Sequence, residues 1–195
     1  MRIIVLLGVF FATVYSQAAI FNSQRIYENT KKEFYSNGLE LRRDNRVGIG
    51  FDVAGVSGTA GLQLEFNFTP ESGLLVGFGT GEGYQTFHAA YKKVIGGSNF
   101  LPYFVMGYSR WYTPAKGSRS FATTKPSVLG DKFLNDQEKQ GSFDEHFLYP
   151  GIGIQFVQLK GDYIGSSVSL ELDLLLDVDD FLIGPLGSLA MTYYF

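Results

Sequence analysis

The chain contains no cysteine, which excludes a disulfide framework and any thiolate metal centre. It is also short of charge. Asp, Glu, Lys and Arg make up 18% of residues, below the roughly 25% of an ordinary soluble protein. There are two histidines and one tryptophan, few candidates for acid–base chemistry. The net charge of −3 comes without a basic stripe, so no nucleic-acid partner is expected. Beyond the N-terminus no apolar run approaches the ~17–25 residues of a transmembrane helix. What is abundant is aromatic residues and glycine, with 18 Phe, 12 Tyr and 24 Gly among 195 positions. That length predicts one domain, and an apolar fraction of 45% is too high for a disordered chain.

Arg2, an apolar stretch over 3–15 and then Ser16-Gln17-Ala18 have the order of a secretory signal: positive end, apolar centre, small residues at the cleavage site. A signal peptide is expected over 1–18. Segment 19–45 is polar, carries Lys31, Lys32, Arg42 and Arg43, and has only a weak helical period around 24–35. It reads as a periplasmic lead-in to a domain at 46–195.

From Arg46 the pattern turns to a period of two, the spacing of residues on one face of a strand. Val47, Ile49, Phe51 and Val53 alternate with Gly48, Gly50, Asp52 and Ala54. Leu62, Leu64, Phe66 and Phe68 oppose Gly61, Gln63, Glu65 and Asn67. Two more segments set Leu74, Val76 and Phe78, then Phe87, Ala89 and Tyr91, against Gly77, Gly79, His88 and Lys92. The fifth, near 100–112, is apolar on both faces; small Gly107 and Ser109 favour Phe104, Met106 and Tyr108 as its outward set. In the sixth, Leu148, Pro150, Ile152, Ile154 and Phe156 oppose Gly151, Gly153 and Gln155. The seventh alternates most cleanly, with Ile164, Ser166, Val168, Leu170, Leu172 and Leu174 against Ser167, Ser169, Glu171 and Asp173. The last ends on Tyr193, Tyr194 and Phe195.

Eight strands of this length, with short turns on one rim and longer loops on the other, predict an all-β, antiparallel, up-and-down transmembrane β-barrel. The connection at about 113–145 is the expected long extracellular loop. Aromatics near strand ends would form two girdles: Phe68, Phe100, Tyr163, Tyr193 and Phe195 below, and Tyr84, Trp111, Tyr112 and Phe147 above. The rival is a soluble barrel with its apolar face inward. It fits poorly, because eight strands enclose only enough space for side chains to fill.

The architecture and the terminal Tyr193-Tyr194-Phe195 resemble the small eight-stranded outer-membrane barrels of the OmpA/OmpX type. The resemblance implies a Gram-negative outer membrane, contact with its lipid and lipopolysaccharide, a monomer, and usually no catalysis or cofactor. It also implies an assembly signal at Tyr193 and Phe195 read by the barrel assembly machinery.

The inward residues Asp52, Glu65, His88, Lys92, Glu171 and Asp173 predict a charged network that plugs the barrel, since buried charges must pair. A non-enzymatic structural or surface role follows. The alternatives are a narrow cation-preferring pore lined by the four carboxylates and, further off, a lipid A-modifying enzyme using Ser142, Asp144, Glu145 or His146 at the outer rim. Arg110 is expected outward near that rim. Asp177, Asp179 and Asp180 lack the glycine and bidentate glutamate of a calcium loop and read as a solvated tip. Lys116, Arg119, Lys125 and Lys132 in the long loop are candidate lipopolysaccharide contacts, and 126–140 is expected to be a short helix capped by Ser127. No metal site is expected.

Overall fold

The computed structural model describes residues 34–114 and 120–195. The expected signal peptide, the first part of the lead-in, Lys116 and Arg119 lie outside the described residues. The strands are β1 (Val47–Ala54), β2 (Ala60–Asn67), β3 (Ser72–Thr80), β4 (Gln85–Val94), β5 (Phe100–Tyr112), β6 (Asp144–Val157), β7 (Ser166–Asp177) and β8 (Ile183–Tyr194). Each pairs with the next, and β8 returns to β1 with Asp52 opposite Ala190 and Ile49 opposite Tyr193. The result is a closed eight-stranded, antiparallel, up-and-down barrel. Closure removes the two edges that an open sheet would leave unpaired.

Exposure decides which face is outside. Leu172 is 65% exposed, while its neighbour Asp173 is 2% exposed. The same holds around the wall: Leu62, Phe78, Met106, Ile152 and Leu170 are exposed, and Glu65, His88, Lys92 and Gln155 are buried. Leaving a large apolar side chain in water forgoes about 1.5–3 kcal/mol, so a continuous apolar wall belongs in hydrocarbon. The soluble alternative is thereby excluded: the apolar set faces out, and the barrel is of the membrane-spanning kind. Leu170→Arg, in the middle of the band, is expected to cost about 2–4 kcal/mol in vesicle-embedded barrel. Urea unfolding in lipid measures it, and an unchanged midpoint would contradict the lipid-facing assignment.

Glycine makes the interior possible. A Cβ on Gly77 would lie 2.3 Å from the His88 ring, and one on Gly153 2.3 Å from the Tyr103 ring. These inward glycines stand against bulky inward side chains on the adjoining strand, and the space they leave is what the ring occupies.

Both ends of the cylinder are closed by the chain itself. At the lower rim, where β8 ends, the helix α1 (Gly38–Asp44) precedes β1. The Asn37 side chain caps it, accepting from the Glu40 N–H at 2.9 Å. Leu41 and Arg42 of α1 are fully buried, and Gly38 lies so close to Leu101 that a Cβ would come within 2.8 Å of it. The polar lead-in therefore ends in a stopper, which alternation did not foretell because helix packing has a different period.

At the upper rim the turn Gly55–Ser57 folds into the barrel and is wholly buried. Ala54 and Gly55 take positive φ of 64° and 66° to make that inward bend. Above it, Phe121, Leu129, Phe133 and Phe143 of the long connection are buried against Trp111 and Phe147. This corrects the expected upper girdle. Tyr84, Trp111 and Phe147 are 0–1% exposed and point inward; of that set only Tyr112 faces out. Strand parity gives the reason, since Trp111 shares a face with Tyr103 and Val105. The lower set stands outside: Phe68, Phe100, Tyr163, Tyr193 and Phe195 are all exposed.

Three further expectations change. The helix expected over 126–140 is shorter: helical backbone covers only 127–133, with a wide turn at Leu129–Phe133 where the Leu134 N–H bonds to the Leu129 carbonyl, and a separate short turn follows at Glu138–Gln140. The wide turn sets Leu129 and Phe133 on the barrel mouth, with Phe133 4.8 Å from Phe147. The long connection is shorter than expected, because Asp144, Glu145 and His146 belong to β6. Asp177 is not a solvated tip: it is 1% exposed, and its carboxylate accepts from the N–H groups of Asp179 and Asp180.

Candidate functional site: a sealed polar interior

Glu65, on the inward face of β2 near the lower end, is the centre of the buried polar core. One carboxylate oxygen accepts from Arg42 Nη1 of α1. The other accepts from Lys92 Nζ of β4 at 3.0 Å and from the Tyr194 hydroxyl of β8 at 2.8 Å. Arg42 also donates from Nε to the Pro70 carbonyl at 2.8 Å, which ties α1 to the β2–β3 turn. Lys92 donates to Gln155 Oε1 at 3.1 Å and lies 4.4 Å from the centre of the Tyr103 ring. The Gln155 amide in turn donates to Tyr194 at 2.8 Å and to Ser167 at 2.9 Å. β4, β8 and the helix thus converge on one carboxylate of β2, with two cations. Burial works against the Arg42 charge, but Glu65 and Tyr194 beside it outweigh that and hold its pKa above the ordinary arginine value.

Of the six residues singled out by sequence, the structure brings Glu65 and Lys92 into direct contact. His88 sits higher, with Nδ1 3.4 Å from the Ser57 hydroxyl of the inward turn. Asp52 and Asp173 are buried, and Glu171 is half-buried on the same wall. Neither oxygen of Asp173, nor Oδ1 of Asp52, makes a hydrogen bond among the described residues. Asp52, His88, Lys92, Tyr103, Tyr149 and Glu171 border a cavity of about 20 Å³, room for about one water molecule. Glu65 and Lys92 are thus joined directly, while Asp52, His88 and Glu171 border the cavity with Lys92. Sequence reasoning missed Arg42, which lies outside the alternating region, and the hydroxyl of Tyr194, whose inward parity was the available signal.

Above the cavity Trp111 Nε1 donates to the Val56 carbonyl at 3.1 Å and to Ser109 Oγ at 2.9 Å. Its ring stacks on Tyr84 at 5.5 Å and meets Phe147 edge-on at 5.6 Å. The Tyr84 hydroxyl donates to the Lys125 carbonyl at 2.7 Å, fastening the long connection over the mouth. Burial pushes the Tyr84 phenol above its ordinary pKa, so it remains a donor.

One group of outward polar residues stands at the upper rim. Arg110 makes a two-pronged pair with Asp144, at 2.7 and 2.6 Å, and lies 5.0 Å from the Tyr112 ring centre. His146 Nδ1 is 2.6 Å from the Tyr108 hydroxyl, and its Nε2 is 3.8 Å from Asp144. The histidine is thus engaged by a tyrosine and a carboxylate, with no serine within hydrogen-bond reach among the described residues. Nor do the described residues hold a group of three or more His, Asp or Glu placed to take a metal ion.

No family model matches the chain, and no curated protein matches it. Solved structures with a similar fold include the crystal structure of Ail, the attachment invasion locus protein of Yersinia pestis. It has 15% identity and a TM-score of 0.42 over 76% of this chain and 95% of that one. The backbone structure of Ail in a phospholipid bilayer nanodisc gives 14% identity and 0.42 over 76% and 98%. Ail in complex with the heparin analogue sucrose octasulfate gives 13% identity and 0.40 over 76% and 95%. By its own geometry, eight antiparallel strands closed in chain order with a polar interior and an apolar wall, the chain has the architecture of the small eight-stranded outer-membrane barrels.

Proposed function

We propose that the protein is a non-enzymatic outer-membrane barrel that acts as a membrane-anchored platform rather than a conduit. The observation that carries this reading is the double closure of the interior. α1 and the Arg42–Glu65–Lys92 core block the lower end, the inward turn and the aromatic cluster block the upper end, and the cavity between them holds about one water. A path for hydrated ions needs continuous water, so the pore reading is disfavoured although carboxylates are numerous. Lipid A chemistry is disfavoured because, among the described residues, no serine lies within hydrogen-bond reach of His146.

In this reading the chain reaches the outer membrane by its N-terminal signal. Tyr193 and Phe195, both outward at the lower rim, form the stretch that the assembly machinery recognises. The barrel is a monomer in lipid and lipopolysaccharide. It needs no cofactor, and it presents the connection after β5, with Lys125 and Lys132, to the outside. Planar-bilayer recording tests the central point. Purified barrel is expected to give no reproducible single-channel steps, and cation-selective steps would establish the pore instead.

A further inference from the structure

The apolar wall is not uniform. Its outward side chains stand in rows that run across the strands along the hydrogen-bond direction. One row is Tyr91, Met106 and Pro150, paired in succession across β4, β5 and β6. The next row below is Lys93, Phe104, Ile152 and Leu172, paired across β4 to β7. Between the rows lie inward-pointing residues, so only backbone faces outward there, and Val105 opposite Gly151 forms the floor. The trough is an open groove of about 440 Å³, within the roughly 300–1,000 Å³ of ligand sites.

Pro150 keeps the upper wall of this groove low. Its ring is compact, and it has no N–H for the ladder. The β6–β7 pairing breaks beside it, running to Leu148 opposite Leu176 and resuming at Gly151 opposite Asp173. Because strands in such a barrel tilt by about 35–45°, the groove climbs. It starts at Lys93, next to the lower end of β4, and rises into the band toward Leu172 on β7.

The lower end is polar. Lys93 Nζ donates to Glu71 at 3.0 Å and to Ser72 Oγ at 3.4 Å, and the Tyr91 hydroxyl donates to the same Ser72 oxygen at 2.9 Å. An ammonium has three donors, two of which are used here, and the Lys93 side chain is 45% exposed. A cation at the foot of a rising apolar trough matches one molecular shape: an anionic head with a hydrocarbon tail.

We propose that this groove binds one acyl chain of an anionic glycerophospholipid whose phosphate meets Lys93. The inference rests on the membrane-barrel reading above and adds to it a specific lipid on the wall of β4 to β7. The test uses the full barrel refolded into phosphatidylcholine vesicles containing a minority of phosphatidylglycerol, then extracted for native mass spectrometry. One phosphatidylglycerol is expected to be retained per barrel. Lys93→Gln should lower the retained fraction about fivefold, the factor that one lysine near a lipid surface supplies. Leu172→Trp, which fills the trough, should lower it as well, while Lys93→Arg should keep it. Heat-modifiable migration on a gel checks that each variant folds. Equal retention in the parent, Lys93→Gln and Leu172→Trp would overturn the groove. A parent barrel that never enters vesicles would overturn the membrane reading itself, so the two failures are distinguishable.

Discussion

Glu65→Leu is expected to destabilise the barrel by about 3–5 kcal/mol, the usual cost of leaving buried charge uncompensated. Arg42 and Lys92 are both fully buried, and Glu65 is the carboxylate that each of them bonds. With leucine in its place the Tyr194 hydroxyl also loses its acceptor. The two cations must then repel each other, draw water into the lower barrel, or expel α1. A triple variant separates this from simple loss of a contact. Replacing Arg42 and Lys92 by methionine together with Glu65→Leu removes charge and counter-charge at once, and such exchanges are often close to neutral. Urea unfolding in vesicles, followed by gel migration, measures both. Equal losses in the single and triple variants would mean that shape, not charge, holds this core.

Trp111→Ala is the second large effect, expected at about 3–5 kcal/mol, as for other buried tryptophan truncations. The ring is 0% exposed. It bridges the inward turn, through the Val56 carbonyl, to the cluster of Tyr84, Phe147 and Phe133 beneath the long connection. Its removal leaves a cavity and takes from the Val56 carbonyl one of its two donors, the Ser109 hydroxyl at 3.3 Å being the other. Trp111→Phe should cost less, since it keeps much of the packing and loses the indole N–H. Trp111 is the only tryptophan in the chain, so its fluorescence reports this site alone. The parent is expected to emit in the blue and to resist quenching by iodide. Ready quenching would mean that the upper end is open.

Strand number, order and facing were legible in the sequence because alternation carries them directly. The seventh segment shows this best, with Leu170, Leu172 and Leu174 outward and Ser169, Glu171 and Asp173 on the opposite face. The outward choice at Phe104 and Met106 followed from two small residues, Gly107 and Ser109, and both outward residues are exposed. The upper girdle failed where proximity to a strand end was allowed to override parity. Trp111 and Phe147 are odd-numbered on strands whose outward residues are even. The stoppers were not legible for a different reason. An irregular turn such as Gly55–Ser57 and a seven-residue helix around Leu41 and Arg42 are too short to show a periodic signature. Only the completed cylinder defines the hole they fill. Arg42 in particular reads as one more polar residue until Glu65 is placed above it.

The hydroxyl of Tyr194 joins Glu65 across 129 positions of chain and Arg42 across 152. These contacts link the helix before the first strand to the end of the last, so they form only where β8 has come beside β1 and β2. Closing such long loops carries an entropic cost that is met before the contacts form. Until β8 docks on β1, the carboxylate, the guanidinium and the ammonium remain hydrated in an open trough. Seam closure therefore completes the drying of the core. A barrel open at this seam would carry a wet, charged slot there, a barrier to burial in lipid that vanishes when β8 docks on β1.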